Sequence, residues 1–337
     1  MSRLLSKQKL LLEDVLDDFM TDCKYRDLRK TTMKLYEQSL RLFFKFIEDD
    51  YKVVYLEDVK KEHIQQYIDF TKERGKYSFV INEDKTYINY PQKRGDFGKK
   101  ISLCTIDNYL GNIKSFFSWC KKEKLIKNDP SEPIKRIKYS RKPKSEITTD
   151  EFNKILKNLD LSLFAEYRDY VIIQLLMDTG MRVTECLELT LENIDLKNKT
   201  IFISGEIAKG RRDRYVFFSN VMQTILKRWI NYKDRYIEGE TIFTTTTGRK
   251  YWNHNLEKNM RKYVKRANID KQITPHTLRN NFAKRFLLSG GDIYTLSRLL
   301  GHSSVKTTES AYLDLTTEDI KKNYLKYSPL ENIKKYR

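Results

Sequence analysis

One segment near the carboxyl end decides the fold: residues 276–315 read HTLRNNFAKRFLLSGGDIYTLSRLLGHSSVKTTESAYLDL. His276 and Arg279 are three residues apart, so a helix that begins at the preceding proline carries both side chains on one face. His302 follows Gly301, at an expected boundary between two helices. Side chains and backbone N–H groups can converge on a ligand at such boundaries. The segment therefore indicates a site that combines a guanidinium with imidazoles.

Two further segments place cationic side chains at element boundaries. Residues 178–195, DTGMRVTECLELTLENID, carry Arg182 at a predicted helix start, and residues 208–218, AKGRRDRYVFF, carry Lys209 in a predicted β-hairpin. A phosphodiester has one negative charge on two non-bridging oxygens. Two guanidinium forks and two imidazoles match that charge and the extra charge of a pentacoordinate transition state. The three segments together therefore favour chemistry on a phosphodiester.

The charge of the chain indicates a polyanionic partner. Its 337 residues suffice for about two domains, and 65 Lys and Arg against 46 Asp and Glu give a net charge of +19. This excess favours nucleic acid or an anionic membrane as the partner. No stretch approaches the roughly 18 consecutive apolar residues of a membrane span, and the amino terminus becomes acidic before a signal-peptide core could form. We therefore expect a cytoplasmic protein that associates with the nucleoid when it binds DNA.

Composition also favours helices and argues against a structural zinc site or a disulfide framework. Glycine contributes only 12 residues, about half of its usual share of ~7%, whereas leucine, lysine, glutamate and tyrosine are abundant. The cysteines are scattered and form no CxxC pair: Cys23, Cys104, Cys120 and Cys186. We expect them to be buried free thiols.

Apolar periodicity predicts a helical amino-terminal unit. Helical spacing is clear over 36–47 and 106–117 and weaker near 10–23 and 60–73, which predicts four helices. Between the last two helices, YSFVINEDKTYINYP contains two alternating apolar runs around a polar turn, which predicts a β-hairpin insertion near 76–98. Such an insertion could contact DNA or a neighbouring subunit.

A basic segment broken by prolines follows this unit. KNDPSEPIKRIKYSRKPKSEIT predicts an interdomain linker near 127–144 and domains of 1–144 and 145–337. From Lys114 to Lys144, eleven basic residues stand against three acidic ones, a net charge of +8. We expect this strap to follow DNA phosphates; a solvated loop is the alternative. The residues expected to contact DNA there are Lys114, Lys121, Arg141 and Lys142.

The second domain is predicted to combine helices with a small sheet. Thr148 and Glu151 have the spacing of a capping box, which predicts a helix start. A further helical stripe ends near Gly180, the β-rich runs 200–205 and 214–219 flank a basic tip, and helices resume afterwards. The predicted fold class is mainly α with a small antiparallel β-sheet in the second domain. The charge is +10 in the first domain and +9 in the second, which suggests that both grip one polyanion.

The three carboxyl-terminal segments closely resemble the signature of the tyrosine recombinase (phage integrase) family. Residues 276–315 resemble the part of the signature that includes the helix with the nucleophile. Residues 178–195 resemble the first-arginine box, and residues 208–218 resemble the hairpin with the catalytic lysine. The three segments occur in the order typical of the family. The resemblance covers 146–315, and the amino-terminal helices resemble the family's core-type DNA-binding domain more loosely. It implies a two-domain, C-shaped DNA clamp, monomeric or dimeric when free, that assembles as a homotetramer on two duplexes and exchanges strands through a Holliday junction.

Carried over by position, the resemblance implies how a DNA strand is cut. Arg182 and Arg279 would clamp the scissile phosphate, and His276 and His302 would add hydrogen bonds to it. Tyr312 would be the nucleophile. Its attack leaves a 3′-phosphotyrosyl link that conserves the bond energy, so neither ATP nor a metal nor another cofactor is implied.

Further residues complete the implied site. Lys209 would be the general acid that protonates the leaving 5′ oxygen, and Glu185 would orient active-site groups. Three arginines of the same hairpin could contact DNA, or the phosphate in place of the lysine: Arg211, Arg212 and Arg214.

Two positions depart from the family pattern. Asn280 stands where many members have a second histidine, so no helper role is expected there. His302 and Tyr312 are ten residues apart, one more than in many relatives, and one residue corresponds to ~100° of helix rotation. We therefore expect the position from which the tyrosine approaches the phosphate to differ from that in many relatives.

The segment beyond Tyr312 is predicted to form a short helix. In relatives such a helix docks on the adjacent protomer; a frayed end is the alternative.

The function implied by the resemblance is site-specific recombination, first of all the integration, excision or transposition of a mobile element. Within the same family, Xer-type resolution of chromosome or plasmid multimers is the alternative, and the catalytic residues do not separate the two. An alternative of another class is a catalytically silent basic DNA-binding protein. Such a protein would lack at least one catalytic residue, whereas this sequence has the expected residue at all six catalytic positions that the resemblance implies.

Overall fold

The chain forms a mainly helical fold with one three-stranded antiparallel sheet, which confirms the predicted fold class. The computed structural model describes residues 9–81, 90–140, 146–206, 212–302, 304–312, 321, 324 and 328–334. Two compact units make up the chain, Met1–Arg141 and Lys142–Arg337. None of the described helices is both long and apolar enough to cross a membrane.

The first unit has its helices where the apolar periodicity predicts them. The four α-helices among its described residues are α1 (Leu12–Tyr25), α2 (Lys30–Tyr51), α3 (Lys61–Glu73) and α4 (Leu103–Lys122). Leu40, Phe43 and Ile47 of α2 are fully buried, so the apolar stripe of this helix faces the core. The Phe19 and Phe116 rings of α1 and α4 meet edge-on there, with centroids 5.5 Å apart.

Where the structure describes the insertion between α3 and α4, it differs from the predicted β-hairpin. Its described residues, 76–81 and 90–98, form turns and a short 3₁₀-helix rather than strands. Phe79 packs edge-on against Phe70 of α3, with ring centroids 5.2 Å apart. This apolar residue therefore covers a helical core. The alternation of apolar and polar residues in the insertion thus arises without a β-sheet at Phe79. The expected turn, 82–85, lies outside the described residues.

Part of the expected linker is bound along α4. The Lys114 ammonium donates to the main-chain carbonyls of Ser131 and of Ile134, the latter at 2.8 Å. Arg136 donates twice to the Asp107 carboxylate, at 2.7 and 2.6 Å. We call these five residues the α4 clasp. Because of the clasp, the chain up to at least Arg136 belongs structurally to the first unit.

Two lysines that the sequence assigns to DNA have protein partners. Lys114 is part of the α4 clasp, and Lys121 forms an ion pair with Glu132 at 2.7 Å. A phosphate contact from either lysine would have to replace these bonds. Arg141 and Lys142, which are also assigned to DNA, lie outside the described residues.

The second unit combines a sheet with the helices α5 (Thr149–Lys157), α6 (Phe164–Thr179), α7 (Val183–Leu187), α8 (Asn220–Tyr236), α9 (Asn253–Arg266), α10 (Pro275–Leu288), α11 (Ile293–Leu300), α12 (Val305–Tyr312) and α13 (Pro329–Lys334). The predicted capping box is confirmed: Thr148 Oγ1 accepts from the Glu151 N–H at 3.1 Å, and Glu151 accepts from the Thr148 N–H at 2.9 Å. The helix α6 ends at Thr179 and is closed by Gly180, as the sequence predicts.

The sheet has the order β1–β2–β3, and its strands are β1 (Ile194–Asp195), β2 (Thr200–Ile203) and β3 (Arg214–Phe217). Ile201 lies opposite Val216, and both are buried, whereas Tyr215 and Phe217 are exposed. The strands β2 and β3 confirm the predicted hairpin, but its tip, 207–211, lies outside the described residues. β1 has only two residues, too few for a periodic signal.

A buried ionic cluster joins α6 to α9. Asp169 has no exposed surface and accepts hydrogen bonds from the neighbouring Arg168, from Tyr263 at 2.7 Å and from Asn259 at 2.8 Å. The Arg168 guanidinium lies 3.4 Å from the centroid of the Tyr251 ring. Burial raises the pKa of the Tyr251 and Tyr263 hydroxyls, so both stay protonated.

Three of the four cysteines are buried free thiols, as predicted: Cys23, Cys120 and Cys186. Burial raises the pKa of Cys120 to about 12, which keeps the thiol protonated and unreactive. For Cys104 the prediction is wrong, because this residue lies exposed in the first turn of α4.

Candidate active site

The candidate site lies where the starts of α7 and α10 meet the end of α11. Arg182 immediately precedes α7, Arg279 lies near the start of α10, and His302 follows α11. Arg279 Nη2 lies 3.2 Å from His302 Nε2. Arg182 Nη2 donates to the carbonyl of Gly301 at 3.0 Å, across 119 positions of sequence. Three of the six predicted catalytic residues are therefore neighbours in the folded chain.

Three consecutive carbonyl groups at the end of α11 each accept a hydrogen bond from a different arginine. The acceptors are Leu299, Leu300 and Gly301, and the donors are, in the same order, Arg214 at 3.1 Å, Arg279 at 2.7 Å and Arg182 at 3.0 Å. The last carbonyls of a helix lack intrahelical partners and carry partial negative charge, which suits cations. The end of α11 thereby orients three guanidinium groups at once.

Glycine closes both of the helices that hold Arg279. This arginine is buried, and its Nη1 donates at 2.7 Å to the carbonyl of Gly180 at the end of α6. Gly180 and Gly301 have left-handed backbones, with φ of 64° and 62°. A Cβ on Gly180 would come within 2.1 Å of the Phe282 ring, and one on Gly301 within 2.9 Å of the Arg214 guanidinium. Only glycine fits these two turns without strain.

Glu185 is the buried anion beside this cationic group. Its side chain has no exposed surface. The carboxylate accepts from the Arg182 backbone N–H at 2.8 Å and guanidinium at 2.9 Å, and from Arg214 at 2.6 and 3.1 Å. Burial favours a higher pKa for Glu185, but the hydrogen bonds and positive charges of Arg214 and Arg182 outweigh it and lower the pKa. Glu185 is therefore ionised at neutral pH.

His302 is held between Arg279 and α12. Its Nδ1 lies 2.8 Å from the Thr308 hydroxyl, which is fully buried, and its backbone N–H donates to the Ser297 carbonyl at 3.0 Å. A guanidinium can only donate, so Nε2 accepts from Arg279 and the ring proton lies on Nδ1, donated to Thr308. Arg279 therefore sets the tautomer of the imidazole, and Thr308 fixes its orientation.

The start of α10 presents its two predicted catalytic residues differently. Thr274 caps the helix by accepting from the Thr277 N–H at 3.3 Å. His276, in the first turn, is exposed, whereas Arg279, one turn later, is buried. Asn280, where many relatives have histidine, is buried too. The imidazole of His276 is thus accessible to a ligand from solvent.

The remaining predicted residues belong to α12 and to the hairpin. Tyr312 is the last residue of α12, and this helix packs against α10 and α11. The helix of the predicted nucleophile therefore adjoins α10, which carries His276 and Arg279, and α11, which His302 follows. Lys209 and Arg211 lie outside the described residues. Arg212 is exposed and, with Arg298, lines a groove of 610 Å³ that borders His302.

The sequence does not indicate the actual roles of two side chains of the site. It offers Arg214 as one of three hairpin arginines that could contact phosphate, but in the structure its Nε, Nη1 and Nη2 all donate to protein acceptors. Its place two residues before the buried Val216, on the same strand face, is the signal that could have indicated an inward side chain. Thr308 has no such signal, because its contact with His302 depends on how α12 packs.

Residues 145–319 match the phage integrase family. The chain belongs to that family. Tyrosine recombinase XerD of Staphylococcus haemolyticus (strain JCSC1435) is 24% identical over 323 residues, which span 94% of this chain and 99% of that protein. The family match confirms the family that the sequence motifs indicate. The protein is accordingly a tyrosine recombinase, an enzyme of the class that cleaves and rejoins DNA.

Solved structures share the fold of this phage integrase family member. The Tn1549 transposon integrase in complex with a circular intermediate DNA gives a TM-score of 0.71 at 17% identity, covering 95% of this chain and 100% of that one. A lambda integrase tetramer bound to a Holliday junction gives 0.65 at 18% identity, covering 90% and 80%. At these identities, the likeness establishes the common fold.

Proposed function

We propose that this tyrosine recombinase is site-specific, and that it cuts and rejoins DNA through a 3′-phosphotyrosyl intermediate and a Holliday junction to integrate, excise or transpose a mobile element. The observation that carries the proposal is the cluster of Arg182, Arg279 and His302 beside the helix that ends at Tyr312. Together with family membership, this cluster supports one phosphate site close to one nucleophile.

The cluster suits a phosphodiester for electrostatic reasons. Arg182 and Arg279 are fixed by backbone carbonyls before any ligand arrives, so they need little reorganisation when negative charge develops on the phosphate oxygens. Removal of one donor from such a preorganised site typically costs ~10²–10³ in rate. In the proposal, the exposed His276 adds a hydrogen bond to the same phosphate. His302 does so after its Nε2 takes up a proton, which exchanges the bond from Arg279 for one to a phosphate oxygen.

The cleavage step exchanges one phosphodiester bond for another. The Tyr312 oxygen attacks phosphorus, gives up its proton to solvent or a basic group, and forms the 3′-phosphotyrosyl bond. The bond from phosphorus to the 5′ oxygen breaks, and Lys209 supplies the proton that this oxygen needs. Rejoining reverses the step with the 5′ hydroxyl of another strand. The bond energy is conserved throughout, so the proposal includes neither ATP nor a metal nor another cofactor.

The two units have different tasks in this proposal. Residues 1–144 form the core-type DNA-binding domain and residues 145–337 the catalytic domain, and both contact the duplex. Both parts carry the positive charge that DNA binding needs. The lambda integrase complex is a tetramer on a Holliday junction, and we extend that assembly to this chain as a homotetramer on two recombination sites. The cytoplasm, where bacterial DNA lies, is the proposed location.

Xer-type resolution of chromosome or plasmid multimers is the second candidate role, since XerD is similar to this protein over nearly its whole length. The likeness to a transposon integrase supports the mobile-element role. Both roles use the same chemistry, so the position of the recombination site separates them: at the ends of a mobile element, or at one locus of a chromosome or plasmid.

Covalent trapping on a nicked duplex tests the proposed chemistry. The recombination site is selected as the bound fragment from genomic DNA of the source organism, and a nick beside the scissile phosphate lets the short 5′-hydroxyl fragment diffuse away. The wild-type protein should form an SDS-resistant adduct, and Tyr312→Phe should shift the same DNA in a gel without forming it. Tyr294→Phe, which alters an exposed tyrosine of α11, is the matched control and should keep the adduct.

Two results would contradict the proposal. An adduct with Tyr312→Phe would assign the nucleophile elsewhere. Sequence-selective binding by the wild-type protein without any adduct would favour the catalytically silent DNA-binding protein.

A further inference from the structure

Arg214 has no task in the cleavage step proposed above, yet it is among the most firmly held side chains of the site. It is the first residue of β3, and its side chain is only 9% exposed. Nε donates to the Leu299 carbonyl at 3.1 Å, and Nη1 and Nη2 donate to Glu185 at 3.1 and 2.6 Å. A guanidinium with all three nitrogens engaged by protein is poorly placed to bind a phosphate itself.

The Glu185 carboxylate links Arg214 to Arg182. One oxygen accepts from Arg182 Nη1 and Arg214 Nη1, and the other accepts from the Arg182 backbone N–H and Arg214 Nη2. Four N–H donors fill the four lone-pair positions that a carboxylate offers. The carboxylate therefore cannot turn without losing a bond, and Arg214 fixes the acceptor on which Arg182 Nη1 depends.

Arg214 also offsets the negative charge of Glu185 beside Arg182. Glu185 paired with Arg182 alone would cancel the charge that Arg182 brings to a phosphate, and its side chain is fully buried, so water would screen it little. Arg214 supplies a second positive charge, and the group of three residues keeps a net charge of +1. The attraction of Arg182 for an anion then survives beside a buried carboxylate.

We propose that Arg214 is a positioning residue for the phosphate clamp: it acts through Glu185 to hold Arg182 in place and to keep it electrostatically available to the scissile phosphate. This inference rests on the proposed recombinase function. It differs from the two other tasks that a hairpin arginine could have, namely direct phosphate binding and support of the general acid.

Three substrates separate these tasks in single-turnover cleavage of the nicked duplex. The first has the ordinary phosphodiester. The second has a methylphosphonate at the scissile position, which carries no negative charge and depends less on Arg182. The third has a 5′-bridging phosphorothiolate, whose sulfur leaves without protonation and which makes a general acid unnecessary.

Arg214→Gln should cleave the phosphodiester roughly 10- to 100-fold more slowly than wild type, as expected for a misplaced catalytic group. The methylphosphonate should recover most of this loss, as it should for Arg182→Ala, and the phosphorothiolate should recover none. Arg214→Lys, which keeps the charge, should fall between Arg214→Gln and wild type, and it serves if the glutamine variant does not fold. Arg168→Gln is the matched control. It removes another buried guanidinium paired with a buried carboxylate, so it should lower the melting temperature without changing the ratio between the substrates.

Rescue of Arg214→Gln by the phosphorothiolate would overturn the inference in favour of a role for the general acid. An equal loss on all three substrates would reduce Arg214 to a structural residue and would also overturn it. Failure of the proposed function is distinguishable, because the wild-type protein would then form no adduct on the phosphodiester.

Discussion

Arg279 Nη2 lies 3.2 Å from His302 Nε2, although Arg279 lies in α10 and His302 in the turn between α11 and α12. The contact exists because α11 ends in a left-handed glycine and the chain then turns back over Arg279. The same helix end also receives Arg182 and Arg214. The geometry of the site is thus organised around the carbonyl end of one short helix.

The Thr308 hydroxyl should matter for catalysis through its contact with His302, although Thr308 is buried. Thr308→Val removes the acceptor of the Nδ1 proton, so the His302 ring loses the hydrogen bond that fixes its orientation. We expect cleavage to slow by roughly 10-fold, less than the ~10²–10⁴ of a fully lost acid–base group, while DNA affinity in a gel shift is unchanged. Thr308→Ser keeps the hydroxyl and should stay near the wild-type rate. Wild-type cleavage by Thr308→Val would show that the contact is incidental.

Gly301→Ala should destabilise the second unit. The backbone there is left-handed, which costs a non-glycine residue about 1–2 kcal/mol, and the new Cβ would press on Arg214. A lower melting temperature and weaker cleavage are expected together. Gly95→Ala is the control, because a Cβ there meets none of the described atoms within 4 Å and the backbone is not left-handed. Equal melting temperatures for the two variants would contradict the close fit at Gly301.

The α4 clasp should protect the linker from proteolysis. Asp107→Asn weakens the bidentate bond to Arg136, and limited trypsin digestion should then cut after Arg136 and Lys138 several-fold faster than in wild type. Glu132→Gln breaks only the exposed ion pair with Lys121 and should change the rate little. An unchanged cleavage rate in Asp107→Asn would mean that the clasp does not hold the linker in solution.

Stability should fall in acid partly because of Glu185. Arg214 and Arg182 lower its pKa in the folded protein below the ordinary value of 4.5. The stabilisation is therefore complete above that value and is lost as the pH falls through the lower, folded-state pKa. Urea unfolding at about pH 6 and about pH 3.5 measures the loss. Glu185→Gln, which cannot titrate, should lose less unfolding free energy between these two pH values than wild type. An equal or larger loss would contradict the linkage.

The sequence predicts those parts of the molecule that depend on local patterns. The stripe of α2, the capping box at Thr148 and the glycine end of α6 follow from spacing and backbone preference alone, and all three are present. The family motifs place Arg182, Arg279 and His302, which the fold then brings together.

Other features depend on contacts between distant segments, and no local pattern encodes them. A lysine in a basic run has the same composition signal whether it binds DNA or, like Lys114, holds carbonyls of its own chain. Arg214 is likewise one of several hairpin arginines until Glu185 is seen beside it. The alternation that predicts a hairpin also occurs where residues such as Phe79 cover a helical core.

The most direct test of the central claim is to identify the residue that becomes attached to DNA. The trapped adduct is digested with trypsin and nuclease, and mass spectrometry locates the nucleotide. The account predicts a 3′-phosphate on the tryptic peptide 307–321, in which Tyr312 is the only tyrosine. A nucleotide on any other peptide would contradict it.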